Sequence, residues 1–285
     1  MSRVVFSHPI SACLTFALFA TGCAPTSATD DATDTSSAIV EGQPSSDSSV
    51  MFLRASSDDG EMKCTAVLVA PGIALTAAHC VHPHFVGHAS FKLSNAAAVD
   101  LTKLDQGRWY TVDHAVPSPS FDPAHVEMGH DVAVVFLSGS VANVSPAKIA
   151  PWQLPEGWGA IGASTASSVQ AHVSGYGLTS ADDYGSRRER RDARVPIRGM
   201  SPVSALIGDG ADGQPCSDDS GGPAMVAYSG SEYVISLASY QRGSTCTTGN
   251  YEARLDADWP FLHDNLGTLV AATLATTPDD FPGAH

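Results

Sequence analysis

This sequence predicts an all-β architecture, barrel or sandwich, and three observations predict it. Short apolar segments recur at 50–54, 65–69, 73–76, 132–137, 171–174 and 233–238. Between them lie turn formers such as Asp58-Asp-Gly60, Pro71-Gly72, Ser138-Gly-Ser140 and Glu156-Gly-Trp-Gly159, a cadence that argues against strand–helix–strand units. Helical periodicity is confined to the C-terminus. There Leu262, Leu266, Val270 and Leu274 follow one another at every fourth position, behind Asp258 as a cap and Pro260 in the first turn.

At 285 residues the chain has room for about two domains. A formal net charge of −15 argues against a nucleic-acid partner, because nothing neutralises phosphates, and reads as an acidic solvated surface. Residues 1–22 read as an export signal: Arg3 lies in a short basic region, and the apolar run over 10–20 is too short for a permanent span. The run ends in Ala20-Thr-Gly-Cys23, which resembles a bacterial lipobox except that Ala20 stands where leucine is more usual. Cys23 is therefore a candidate lipidation site, and lipid anchoring and plain secretion both remain open. Residues 23–38, rich in Ser, Thr, Ala and Asp, bury too little to offset ordering entropy and read as a tether or propeptide.

Cys13 and Cys23 belong to the leader; Cys64, Cys80, Cys216 and Cys246 remain in the body and allow three pairings. No CxxC pair is present. His82, Pro83, His84 and the nearby His88 lack an acidic or thiol partner at ligand spacing, so no metal and no cofactor are expected.

Four motifs carry the chemistry. Cys216-Ser-Asp-Asp-Ser-Gly-Gly-Pro223 places a serine beside a carboxylate and two glycines, as a rigidly exposed hydroxyl requires. Thr76-Ala-Ala-His-Cys80 supplies an imidazole, and His130-Asp-Val-Ala-Val-Val135 an aspartate entering an apolar strand. Ile39-Val-Glu-Gly42 is the fourth. Taken singly, His79 reads as structural and Asp131 as a turn residue. Jointly, the order His79, Asp131, Ser220 is that of chymotrypsin-type enzymes. Over about 39–265 the chain resembles the trypsin-like (chymotrypsin-fold) serine proteases, and its leader suggests a bacterial secreted or lipoprotein member.

The resemblance implies two six-stranded antiparallel barrels with a C-terminal helix, the first over 39–151, the second with the helix over 152–274, and a tail over 275–285. It implies disulfides joining Cys64 to Cys80 and Cys216 to Cys246, hence an oxidising compartment. It implies Ser220 as nucleophile, His79 as base and Asp131 as the group orienting the base. Cleavage before Ile39 would free an ammonium group to pair with Asp219. The bond to be cut lacks Lys or Arg on its N-terminal side, so a trypsin-like activator is not indicated.

One departure stands out. Asp218 replaces the first glycine of the family's Gly-Asp-Ser-Gly-Gly-Pro, and its N–H with that of Ser220 would form the oxyanion hole. Aspartate is among the residues that best tolerate positive φ, but a carboxylate about 4 Å from the oxyanion would cost on the order of 4 kcal/mol. Turned outward, it would favour basic residues after the scissile bond. For the specificity pocket, S1, the resemblance gives Gln214 at the floor, Gln241 at the entrance and Gly249 in the far wall, with Ser239 touching Asp131 and the substrate backbone. The floor has no fixed charge, so a small or medium uncharged side chain is expected. The expected molecule is a monomeric serine endopeptidase acting on proteins or peptides. The rivals are a protease-shaped binding protein impaired by Asp218, and an esterase.

Overall fold

Strand-length runs separated by breakers become two closed barrels in the computed structural model. It describes residues 39, 42–58, 60–104, 106–161, 169–179, 185, 187–208, 213–243 and 246–284. The leader and tether expected over 1–22 and 23–38, with Cys13 and Cys23, lie outside the described residues.

The first barrel consists of β1 (Val50–Ser57), β2 (Gly60–Ala70), β3 (Ile73–Thr76), β4 (Ser90–Ser94), β5 (Tyr110–Pro117) and β6 (Ala133–Leu137). It closes in the order β1-β2-β3-β6-β5-β4. The second consists of β7 (Gln170–Gly175), β8 (Arg191–Met200), β9 (Ser204–Ile207), β10 (Pro223–Tyr228), β11 (Ser231–Gln241) and β12 (Asn250–Arg254). Its closing order, β7-β8-β9-β12-β11-β10, repeats that of the first. The sequence shows no repeat, because the repeat lies in the pairing pattern and not in the side chains.

Period-two alternation explains why the C-terminal half of β2, Ala66 to Ala70, and the whole of β6 are apolar on both faces. Ala66, Leu68, Ala133 and Val135 face the interior of the first barrel. Their neighbours Val67, Val132 and Val134 pack outward against Met225, Leu237, Ala253 and Trp259 of the second half. This shared layer fixes one barrel against the other and fixes what sits at their junction.

The C-terminal helix α1 spans Trp259–Leu266 and ends at Gly267, whose φ is +54°. The fourfold apolar recurrence extends the helix to Leu274; the structure corrects this, because the glycine caps it. Val270 and Leu274 pack from a non-helical segment instead. Asp258 stands before the helix, but its side chain does not cap it: it accepts from Ser118 Oγ at 2.7 Å and lies 3.1 Å from His130 Nδ1. The tail folds back on the second barrel, where Phe281 is buried among Trp152, Trp158 and Tyr228.

Candidate active site

β3 delivers the imidazole. It ends at Thr76, and the chain turns through Ala78–Cys80 with Cys80 bonded to Cys64 of β2, Cα atoms 6.3 Å apart. His79 Nδ1 lies 2.7 Å from Asp131 Oδ2, and the His79 backbone N–H donates to Asp131 Oδ1 at 2.8 Å. Ser239 Oγ donates to Oδ2 of the same carboxylate at 2.5 Å. Asp131 is fully buried. Burial pushes its carboxyl up, but the charge and hydrogen bonds of His79 and the Ser239 hydroxyl outweigh that and hold it below the ordinary carboxylate range. A register shift between Ala238 and Tyr240, in the β11–β12 pairing, sits at Ser239.

Ser220 occupies a tight turn stapled to both barrels. Its carbonyl accepts from Thr65 N on β2 at 2.8 Å, and Gly221 N donates to Ala238 O on β11 at 2.7 Å. Gly221 has φ +82°, and a Cβ there would meet Thr76 Oγ1 at 2.2 Å and Ala77 N at 2.7 Å. No other residue fits. The Ser220 turn is thereby pressed against the segment that carries His79. No hydrogen bond links the Ser220 hydroxyl to the imidazole among the described residues in this conformation; such bonds are often long before substrate arrives.

The N–H groups of Asp218 and Ser220 have no partner among the described residues. Leu178 N donates to Ser217 O at 2.7 Å, so the trans peptide 217–218 turns its N–H the opposite way. Thr65 Oγ1 donates to Asp218 O at 3.1 Å and accepts from Tyr176 N at 3.1 Å. Asp218 adopts φ +72°. Its Oδ2 accepts from Arg188 Nε at 3.0 Å. Nothing in the serine motif signals Arg188. The missed signal was the basic run Arg187, Arg188, Arg190, Arg191 and Arg194, a third of the 15 cationic residues of an acidic chain.

Asp219 points inward, accepting from Gly177 N at 2.7 Å and Cys216 N at 2.9 Å. Burial pushes its carboxyl up to about 7 despite these donors. Ile39 is fully buried within the core of the second barrel, with Ala150, Trp152 and Val195 in the same cluster. Arg191 Nη1 donates to Gly42 O at 2.9 Å, holding the segment that follows.

Around the expected pocket, buried Gln214 accepts from Gly249 N at 2.8 Å through Oε1, while its Nε2 has no partner among the described residues. Gly249 needs its φ of +94°, since a Cβ would meet Gly208 O at 2.8 Å. Gln241 Nε2 lies 3.2 Å from Cys246 Sγ. Cys216 and Cys246 are bonded and tie the two segments together, with Cα atoms 5.1 Å apart. Cys64, His79 and Cys80 cluster within metal-ligand distance, but both sulfurs are held in the disulfide.

The Trypsin family model matches residues 39–257. Serine protease 56 of Mus musculus is 29% identical over 180 residues, covering 59% of this chain and 28% of that protein. Granzyme M of Homo sapiens is 30% identical over 182 residues, covering 59% of this chain and 65% of that protein. The chain thus spans under two thirds of the length of these relatives. The family match extends over most of the chain, on the two-barrel scaffold just described, and the chain belongs to the trypsin family, carrying its chymotrypsin-fold serine protease domain.

Proposed function

We propose that the chain is a serine endopeptidase working through an acyl-enzyme on Ser220. The observation that carries this reading is the Asp131 carboxylate, buried and bonded to both the backbone and the Nδ1 of His79. That arrangement fixes the tautomer that leaves Nε2 free to take a proton. In the reaction Ser220 Oγ gives its proton to His79 and bonds to the substrate carbonyl carbon. The oxygen charge that develops is received by the N–H groups of Asp218 and Ser220. His79 then protonates the departing amine as the peptide C–N bond breaks. Water attacks the ester by the same route and restores the hydroxyl.

The Gln214 floor offers an amide and no charge, so cleavage after a small or medium uncharged residue is the expected preference. An acceptor on that side chain would satisfy Gln214 Nε2, which has no partner among the described residues. Maturation cuts before Ile39 and sets an ammonium beside Asp219. The disulfides and the leader favour export, with Cys23 the candidate lipid attachment.

A second reading, a protease-shaped binding protein, rests on Asp218 standing at the oxyanion glycine. Labelling of the processed protein with a fluorophosphonate separates the two. Stoichiometric adduct on Ser220, lost in Ser220→Ala and His79→Ala, is expected. Correctly processed protein that takes up no label would leave only the binding scaffold. Cleavage of peptides, as well as simple esters, distinguishes the endopeptidase from an esterase.

A further inference from the structure

Asp218 puts a carboxylate where it should weaken catalysis, and beside it stands a cation from outside the serine motif, Arg188. Arg188 is nearly buried, its side chain 5% exposed, and Asp218 is 22% exposed. The guanidinium is aimed by its own surroundings. Its Nη1 donates to Gly185 O at 2.6 Å while Nε reaches the carboxylate at 3.0 Å. The backbone beneath it is equally fixed. The strand Arg187–Glu189 pairs antiparallel with Ala98–Asp100, setting Arg188 opposite Val99, a buried residue of the first half. A guanidinium braced at both ends imposes one direction on the carboxylate it binds.

The consequence concerns the unpartnered N–H of Asp218. At φ +72° that residue stands where glycine is at ease, so its conformation needs outside support. Three contacts supply it: Leu178 N on the preceding carbonyl, Thr65 Oγ1 on its own carbonyl, and Arg188 on the side chain. Of the three, the last alone also carries charge. A carboxylate free to swing toward the site would oppose the negative charge that develops on the reacting oxygen.

We infer that Arg188 is a positioning residue for the reaction: by holding the Asp218 carboxylate in a fixed ion pair, it makes an oxyanion hole without its glycine competent. The inference rests on the serine-peptidase reading and assigns to that site a compensating pair drawn from outside the serine motif. Arg188 acts through Asp218 and touches no reacting atom. It also lies near Asp219, whose carboxyl its charge pulls down while Asp218 pushes it up. An effect routed through Asp219 would persist without the Asp218 side chain. An effect routed through Asp218 would vanish with it.

The test is a double-mutant cycle on processed protein, comparing parent, Arg188→Gln, Asp218→Gly and the double variant. The readouts are the rate of fluorophosphonate labelling of Ser220, and kcat and KM for p-nitrophenyl acetate. Arg188→Gln is expected to slow labelling and lower kcat on the order of 100-fold, the size of losing one oxyanion donor, with KM little changed. In the Asp218→Gly background the same substitution is expected to cost less than about threefold. Equal losses in both backgrounds, or no loss beside Asp218, would overturn the inference while leaving the peptidase reading intact. A parent that never labels overturns both. Should Arg188→Gln not fold, Arg188→Lys carries the same cycle: it keeps the charge and loses the fixed fork, with roughly tenfold loss expected beside Asp218 and none in the Asp218→Gly background. A loss shared by both backgrounds would again sink the inference.

Discussion

Buried ionisable side chains in this protein separate by what surrounds them. Asp131 is buried among donors and stays ionised, whereas Glu252 is buried with Ser236 Oγ at 2.7 Å and one oxygen, Oε1, without a partner among the described residues. Burial pushes the Glu252 carboxyl up to about 8, and the nearby Asp219 charge adds to the rise. A folded-state value above the unfolded one contributes stability at low pH that is lost as pH rises through about 8. Glu252→Gln removes that titration. Its melting temperature relative to the parent is therefore expected to climb between about pH 6 and pH 9, and a gap independent of pH would refute the assignment. At this scale the triad candidates could be read from their motifs, each side chain sitting in a short run of diagnostic neighbours. Thr65 and Arg188 could not, because their partners lie 153 and 30 positions away.

Among the elements, the Ser220 turn is restrained on several sides. Gly221 is pressed on Thr76 and Ala77, backbone bonds tie the turn to β2 and β11, and the Cys216 disulfide tethers its N-terminal side. The bridge to Cys246 spans 30 positions, so the chain-entropy model gives it about 3 to 4 kcal/mol. Replacing both cysteines by serine is expected to lower stability by that amount in chemical denaturation. A loss below about 1 kcal/mol would show that hydrogen bonds alone hold the turn. Strands were legible where apolar runs met breakers, as at 73–76 and 132–137. The end of α1 was not: Gly267 stops it, while Val270 and Leu274 keep a helical spacing for tertiary reasons.

For the molecule as a whole, the proposed maturation would couple the N-terminal segment to the second barrel. In the uncleaved chain Asp219 is raised to about 7 by burial, so its contribution to stability is present at low pH and lost as pH rises through about 7. An ammonium at Ile39 would reverse this by favouring the ionised form. Processing is therefore expected to raise the melting temperature more at about pH 8 than at about pH 5. The same gain at both would mean that no ion pair forms. N-terminal sequencing of active protein should begin Ile-Val-Glu-Gly.

The sequence by itself determined the all-β class, the family and the triad candidates, because each rests on local pattern: alternation, breakers and short motifs. The tertiary structure decided the repeated closing order of the barrels and the layer where Val67 and Val134 meet Leu237. It also decided that a distant arginine answers the charge of Asp218. Those depend on which residues the closed sheets bring together, and contact across a barrel leaves no trace in the spacing along the chain.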